Sequence, residues 1–240
     1  MKSLTVLYLA ALTARHALAE ELADCEAYVP EAHRMQHTLV ADRGKWKHAR
    51  FRNMLAGLRT RWAFALSKCA MARSTVGDFI ETGVFTGASS IAMMHTLDAA
   101  GASERHRLHY ACDSFQGLPS TSKEDACKGR AFQGAAVSKD EKAVCVSMGR
   151  GAFSASRKQF EANVAQARVD ASRMRVVAGW FNETLPPPGL THIAFLRLDG
   201  DLYASTRDAL NALYPLVARG GIVYSDDYGS FSGCARAIDE

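Results

Sequence analysis

Two short apolar runs that end in aspartates constrain the fold of this chain more than any other feature. Runs of large and β-branched apolar residues predict strands that are buried on both faces of a sheet. The first run covers residues 195–198, before Asp199 and Asp201, and the second covers residues 222–225, before Asp226 and Asp227. Because ligands bind at the carboxyl ends of the strands in an open α/β sheet, these aspartates mark a candidate site.

The aspartates converge if the two strands are neighbours, since paired strands lie about 4.8 Å apart. Asp199, Asp226 and Asp227 would then repel one another unless a cation compensated their charge. The set therefore predicts a metal or catalytic cluster. The alternative for each aspartate is a helix N-cap, where Asp is a favoured residue.

Composition indicates a globular protein. The chain has 240 residues, of which 48% are hydrophobic and 22% charged, enough for one α/β domain or two small ones. The net charge of +4 is mild, and the dispersed basic residues, Arg59 and Arg61 among them, are typical of a solvated helix face. No nucleic-acid partner is therefore predicted.

Strand and helix patterns alternate through residues 76–240. Strands are predicted near residues 79–80, 108–112, 175–178, 192–198 and 222–225, with amphipathic stretches between them. This alternation predicts a doubly wound, mostly parallel α/β sheet with right-handed crossovers. The strand order 3-2-1-4-5 would place the first and fourth of these strands side by side at the switch point.

The N-terminal region divides into two parts. Residues 1–19 combine Lys2, an apolar run and a small-residue stretch at Ala17–Ala19, which is the pattern of a targeting segment and is too short for a stable membrane span. An ordinary helix is the alternative, so the chain is secretory or organellar if residues 1–19 are a targeting segment and cytoplasmic otherwise. Residues 20–75 are expected to form a helical region, with a linker or loose helix over residues 31–53.

The cysteines contain no CxxC pair, which disfavours a zinc site. Cys69 and Cys112 lie in apolar runs and are predicted to be small core residues. Cys127 and Cys145 flank a long polar loop and could pair in an oxidising compartment.

A glycine-containing segment, residues 81–87, joins the first of these strands to a helix. Gly83 and Gly87 permit a tight turn and a close approach of the backbone to a ligand. The segment is not GxGxxG, so a dinucleotide site is disfavoured. Asp113, at the end of the following strand, is predicted to accept hydrogen bonds from ribose hydroxyls, with a turn aspartate as the alternative.

Four ordered motifs resemble the macrocin (TylF-type) O-methyltransferase family over roughly residues 76–240. They are Glu-Thr-Gly-Val from Glu81, Asp-Ser-Phe-Gln-Gly-Leu-Pro from Asp113, Leu-Asp-Gly-Asp-Leu-Tyr from Leu198, and Gly-Gly followed by Asp226-Asp227-Tyr-Gly. The resemblance implies a class I, Rossmann-like fold and S-adenosylmethionine- and Mg²⁺-dependent methylation of a small-molecule hydroxyl.

The resemblance also implies roles for individual residues. Asp199, Asp226 and Asp227 match the metal ligands, and Asp201 matches the general base. The residues that match the cofactor site are Glu81, Thr82, Gly83, Val84, Gly87, Asp113, Ser114 and Phe115. Magnesium prefers hard oxygen ligands and leaves positions that a substrate hydroxyl can occupy, so the chemistry of the aspartates agrees.

The sequence departs from the family at Glu240, beyond which the family is expected to continue through a helix and two further strands. Without those last strands, the strand at 222–225 is expected to be an exposed edge. Either the sequence is a fragment or a partial gene model, or the fold is completed in another way. The acceptor is predicted to be sugar-like or another small molecule, and a homo-oligomer is left open. The rival functions are a non-catalytic cofactor-binding relative and, less favoured, a nicotinamide-dependent dehydrogenase.

Overall fold

A six-stranded parallel sheet forms the centre of the protein. The structure, a computed structural model, describes residues 5–8, 24–41, 51, 54–125, 149–228 and 230–240. The strands lie in the order β1-β6-β5-β2-β3-β4, and every pair is parallel. They are β1 Thr5–Tyr8, β2 Asp78–Thr82, β3 His109–Asp113, β4 Met174–Ala178, β5 Ile193–Leu198 and β6 Val217–Ser225.

The predicted strand order is confirmed. The five predicted strands are β2 to β6, and they lie as β4-β3-β2-β5-β6, which is the order 3-2-1-4-5. Strands β2 and β5 are therefore adjacent, and the chain winds outward from them in both directions. This is the switch point of a doubly wound sheet, where ligands bind beyond the carboxyl ends of the strands.

Helices cover both faces of the sheet, as alternating side chains of the strands require. The helices are α1 Val29–Ala41, α2 Leu58–Ala72, α3 Ala88–Ala99, α4 Arg157–Ala167, α5 Phe181–Thr184, α6 Tyr203–Leu213 and α7 Ser232–Asp239. Phe79 and Phe195 belong to the hydrophobic cluster that contains residues of α2, α3 and α4. Their neighbours along the strands, Ile80 and Leu196, belong to a second cluster that contains residues of α6.

The β6 edge differs from the prediction. Strand β1 pairs in parallel with β6, with Thr5 opposite Ile222 and Tyr8 opposite Ser225. The expectation that this edge is exposed is therefore wrong, and so is the helical alternative for residues 5–8, because a four-residue apolar segment is too short for periodicity to tell a strand from a helix. Residues 1–4 and 9–19, the rest of the predicted targeting segment, lie outside the described residues.

Helix α1 covers the first part of residues 31–53, which were predicted to be a linker or loose helix. Residues 42–50, 52 and 53 lie outside the described residues. Pro30 is the second residue of α1, a position where the missing N–H of proline costs nothing. The buried amide of Gln36 donates hydrogen bonds to the carbonyls of Leu55 and Gly57, at 2.8 Å and 2.7 Å. Helix α1 therefore holds the chain that leads into α2.

No helix among the described residues is long and apolar enough to cross a membrane.

A disulfide joins Cys25 to Cys69 and ties the segment before α1 to α2. Cys69 is a core residue, as predicted. Its pairing was not predicted, because a paired cysteine in an amphipathic helix has the same apolar pattern as a free one. Cys112 is free and buried, as predicted. Cys127 and Cys145 lie outside the described residues.

The disulfide yields a test of how the N-terminal region is held. Reduction by dithiothreitol is expected to lower the free energy of unfolding by about 2–4 kcal/mol, since a cross-link over 44 positions restricts the unfolded chain. Urea denaturation of the oxidised and reduced protein measures this difference. A Cys25→Ala/Cys69→Ala variant is the control and should lose the sensitivity to dithiothreitol. If that variant stays as sensitive as the parent, the Cys25–Cys69 bond does not account for the effect.

Candidate functional site

One cavity of about 660 Å³ lies at the carboxyl edge of the sheet. The segments that follow four neighbouring strands contribute to its wall, through Gly83 after β2, Asp113 at the end of β3, Gly179 after β4 and Asp199 after β5. A volume of several hundred cubic ångströms is typical of a small-molecule site. The predicted location of the site is therefore the location of the cavity.

Asp199, Asp226 and Asp227 form an acidic cluster that meets the cavity at Asp199. Each offers a carboxylate oxygen, and these three atoms lie within 4.8 Å of one another. Asp226 and Asp227 are buried, whereas the side chain of Asp199 is 21% exposed and lines the cavity. One oxygen of the cluster, Oδ1 of Asp226, is buried without a hydrogen-bond partner among the described residues.

Arg197 lies beneath the acidic cluster and is almost fully buried. Its Nη2 donates to Asp199 at 2.8 Å and to Asp226 at 2.5 Å, and its Nη1 donates to Glu81 at 2.6 Å. One guanidinium thus orients carboxylates from the ends of β5, β6 and β2. A second arginine, Arg59 of α2, approaches the cluster from the cavity side.

The carboxylate of Glu81 is fully enclosed. It accepts hydrogen bonds from the hydroxyls of Ser89 and Ser90 in α3 as well as from Arg197, and its side chain is 0% exposed. Nearby His109 is also buried, and burial lowers the pKa of its imidazole to about 3. Glu81 therefore supports the cavity from behind and does not line it.

The backbone of Gly83 passes close to the end of β5. Its φ is +90°, and a Cβ atom there would lie 1.9 Å from the carbonyl oxygen of Asp199. Only glycine permits this approach. Asp113 holds the same turn from the other side, because its Oδ2 accepts the N–H groups of Val84 and Phe85 at 2.9 Å and 3.0 Å.

The predicted site residues divide into a wall and a supporting layer. Gly83, Asp113, Ser114, Asp199 and Asp201 line the cavity. The other predicted cofactor residues, which do not reach it, are Glu81, Thr82, Val84, Gly87 and Phe115. Asp113 lines the cavity and also organises two turns, since it accepts the N–H of Phe115 at 2.7 Å as well as those of Val84 and Phe85. Its contact with a ribose stays a prediction.

Asp201 lies on the cavity wall, next to the acidic cluster. It adopts a left-handed backbone conformation with φ +56°, uncommon for a residue other than glycine. Its backbone N–H donates to Oδ2 of Asp227 at 3.0 Å, which fixes the turn after β5 against the turn after β6. Strained backbone of this kind concentrates at functional sites.

The carboxylates of the site differ in protonation. Burial, together with Asp199 and Asp226, raises the pKa of Asp201 to about 8. Burial also raises the pKa of Asp226 to about 7 and holds that of Asp227 well above its usual value. Burial opposes ionisation of Asp199 as well, yet Arg197 and Arg59 lower its pKa. Without a further cation, the site therefore holds protons at neutral pH.

Sequence reasoning missed two arginines of the site. Arg197 carried a signal, because a charged side chain inside a buried apolar run requires a partner. Arg59 had none, since its partners lie more than a hundred residues away. Trp180, which follows β4, also lines the cavity. Tyr203 and Tyr228 do not, and their hydroxyls instead donate to Glu240 and Asp239.

Comparison with known proteins yields one family. Residues 53–240 match the family described as Macrocin-O-methyltransferase (TylF). The chain is 35% identical over 164 residues to "Demethyldecarbamoylnovobiocin O-methyltransferase" of Streptomyces niveus, a match that covers 68% of this chain and 57% of that protein. It is 30% identical over 164 residues to "Mycinamicin III 3''-O-methyltransferase" of Micromonospora griseorubida, with coverages of 68% and 59%.

A third relative is "8-demethyl-8-(2,3-dimethoxy-alpha-L-rhamnosyl)-tetracenomycin-C 4'-O-methyltransferase" of Streptomyces olivaceus, 34% identical over 170 residues, with coverages of 71% and 59%. The chain thus spans less than three fifths of the length of these curated relatives. Among solved structures, the O-methyltransferase NovP superposes with a TM-score of 0.66 and 27% identity over 90% of this chain and 89% of that one. Calicheamicin methyltransferase CalS11 shares the fold, with a TM-score of 0.53, 20% identity and coverages of 87% and 82%.

The raised pKa values predict how stability depends on pH in the presence of EDTA. A group whose pKa is raised on folding stabilises the protein below its unfolded pKa, and this stabilisation is lost as the pH rises through the folded pKa. The free energy of unfolding should therefore fall between pH 6.5 and 8, where Asp226 and Asp201 titrate in the folded state. His109 has the opposite effect, but only below about pH 6.5, where its unfolded form gains a proton.

Urea denaturation at half-unit steps from pH 6.5 to 8 measures this slope. Asp201→Asn replaces the titrating carboxyl by a neutral group of similar shape and should make the decline shallower. A free energy of unfolding that rises across this window would contradict the assignment.

Proposed function

The chain belongs to the macrocin O-methyltransferase family, and on this premise we propose that it transfers a methyl group from S-adenosylmethionine to a hydroxyl of a glycosylated small molecule, with Mg²⁺ as a second cofactor. One observation carries the proposal. Gly83, in the turn after β2 that is predicted to bind the cofactor, lines the same cavity as Asp199 and Asp201 after β5, at the switch point of the sheet. Donor and acceptor sites would then adjoin, as direct transfer between two bound molecules requires.

The acidic cluster has the chemistry of a magnesium site. Its three carboxylates are hard oxygen donors within 4.8 Å of one another. Arg197 is held by Glu81 as well as by the cluster, so it does not neutralise three carboxylates alone. The buried Oδ1 of Asp226 is without a hydrogen-bond partner among the described residues, which suits a cation ligand. Asp199, Asp226 and Asp227 would hold the metal.

The part of the cavity wall that contains Gly83, Asp113 and Ser114 suits S-adenosylmethionine. Gly83 leaves the turn without a side chain, while Asp113 and Ser114 bring polar groups to the wall. Trp180 lines the same cavity, and its ring would provide an aromatic surface for the adenine. Behind this wall, Glu81 and Gly87 keep the turn and the start of α3 in place.

The chemistry divides between the cofactors and the chain. S-adenosylmethionine supplies an electrophilic methyl group, and Mg²⁺ supplies a Lewis acid that lowers the pKa of a bound hydroxyl. Asp201 takes the proton of the acceptor hydroxyl as general base. Its raised pKa of about 8 keeps Asp201 largely protonated at neutral pH in the metal-free chain. A bound cation beside it would favour the ionised form that acts as a base. Arg197 fixes the orientation of Asp199 and Asp226.

The acceptor class rests on the relatives. The names of the three relatives specify methylation of novobiocin-, tetracenomycin- and mycinamicin-type compounds, and one name specifies a rhamnosyl group. A cavity of about 660 Å³ holds a cofactor and the sugar end of such an acceptor, but not the whole of a large one. We therefore propose that the sugar enters the cavity and that the rest of the acceptor stays outside it.

Methyl transfer to the acceptors named for the relatives tests this function. The protein is expected to methylate at least one of demethyldecarbamoylnovobiocin, mycinamicin III and a rhamnosylated tetracenomycin, as measured by mass spectrometry. Activity should disappear in EDTA and return with Mg²⁺. Asp201→Asn should lower kcat by about 10²–10⁴-fold, because a general base is removed, while Mg²⁺ affinity is retained.

Glu161→Gln is the matched control, because it neutralises an exposed carboxylate of α4 that pairs with Arg157. It should keep the parental rate. Cofactor binding without methylation of any acceptor would favour a non-catalytic relative. Methylation that is unchanged in EDTA would rule out the metal.

A further inference from the structure

Arg59 occupies the cavity side of the acidic cluster. Its Nη1 lies 3.4 Å from Oδ1 of Asp227 and 3.9 Å from Oδ1 of Asp199, and its Nε lies 3.6 Å from Oδ2 of Asp226. Among the described residues that line the cavity, Arg59 is the only lysine or arginine. The guanidinium therefore lies over the same three carboxylates that would hold a metal ion.

The two arginines of the site are held very differently. Arg197 is 3% exposed and makes close contacts of 2.5–2.8 Å. The side chain of Arg59 is 47% exposed, and its three contacts are longer, at 3.4–3.9 Å. A half-exposed ion pair is weak, and its arginine regains water when it moves away. Arg197 is therefore a fixed part of the site, whereas Arg59 can move into water if another cation takes its place beside the buried carboxylates.

The position of Arg59 in its helix supports a role outside the helix. It is the second residue of α2, whose first turn contains no acidic residue. A positive charge at a helix N-terminus is unfavourable, because the helix dipole is positive there. The acidic cluster, rather than the helix, accounts for the orientation of this side chain. Arg61, two residues further on, instead donates to Oε1 of Gln36 at 3.0 Å.

We propose that Arg59 is a resident counter-cation of the acidic cluster, which a divalent metal displaces into the cavity when it binds. The inference rests on the metal site of the proposed function. A metal ion held by Asp199, Asp226 and Asp227 and a guanidinium within 4 Å of all three carboxylates would repel each other. Arg59 thus limits repulsion in the metal-free site and lowers the affinity of that site for metal. The N-terminal helices contribute to the site through this side chain.

Calorimetric titration of the full chain, stripped with EDTA, with Mg²⁺ or Mn²⁺ alone tests this competition. Arg59→Gln should bind either ion on the order of tenfold more tightly than the parent, because a competing unit charge is removed. Arg59→Lys keeps the charge and should stay near the parental affinity. Arg61→Gln, which removes a charge from the same helix away from the cluster, should leave the affinity unchanged.

Thermal denaturation of the same proteins supplies a second measurement. Without metal, Arg59→Gln should melt below Arg61→Gln, because the acidic cluster has lost a counter-cation. Saturating Mg²⁺ should raise the melting temperature of Arg59→Gln to that of Arg61→Gln or above it. These two results are not expected of a residue that only stabilises the helix, since such a residue would leave metal affinity unchanged.

The results distinguish a wrong role for Arg59 from a wrong metal site. If Arg59→Gln binds metal no more tightly than the parent while Asp226→Asn abolishes binding, Arg59 does not compete with metal, and the inference is overturned while the metal site stands. If Asp226→Asn binds metal as the parent does, the metal site itself is wrong, and the inference fails with it.

Discussion

The ion-pair network of Arg197 is the interaction on which the site depends. A guanidinium inside a parallel sheet is stabilised only if carboxylates surround it. Here it contacts Glu81, Asp199 and Asp226, which come from β2 and from the ends of β5 and β6. The same residue thereby connects the turn that carries Gly83 with the acidic cluster. Removing one partner would leave buried charge uncompensated, so these elements are expected to act as a unit.

The N-terminal region is attached to this centre in several ways. Strand β1 extends the sheet beside β6. The Cys25–Cys69 disulfide and the hydrogen bonds of Gln36 hold α1 to α2 and to the segment before it. Helix α2 then presents Arg59 to the acidic cluster. The region predicted as a helical segment ahead of the methyltransferase domain therefore contributes a side chain to the candidate site.

Sequence patterns predicted the features that follow from general rules of sheet architecture. Apolar runs placed the strands of the doubly wound sheet, and the rule that parallel strands end at one edge brought Asp199 and Asp226 together. The resemblance carried by the four motifs is confirmed by the family match over residues 53–240. Arg197 was part of a predicted buried run, and its need for partners was the one signal that sequence reasoning left unused.

Other features depend on contacts that no local pattern encodes. Arg59 and Arg61 look alike in the sequence, yet one faces the acidic cluster and the other faces Gln36. Glu81 is predicted to meet a ligand and is instead enclosed by Ser89, Ser90 and Arg197. Periodicity indicates on which face of a strand or helix a side chain lies. Which residue that side chain contacts depends on how distant elements pack against each other.

The metal assignment is the central claim, and anomalous diffraction tests it most directly. Crystals grown with Mn²⁺ and S-adenosylhomocysteine, with data collected at the manganese edge, would locate the ion without reference to activity. The account predicts one anomalous peak in contact with Asp199, Asp226 and Asp227, and the guanidinium of Arg59 turned away from them. An acidic cluster without a peak at saturating Mn²⁺, or a peak bound by other residues of the cavity, would contradict it.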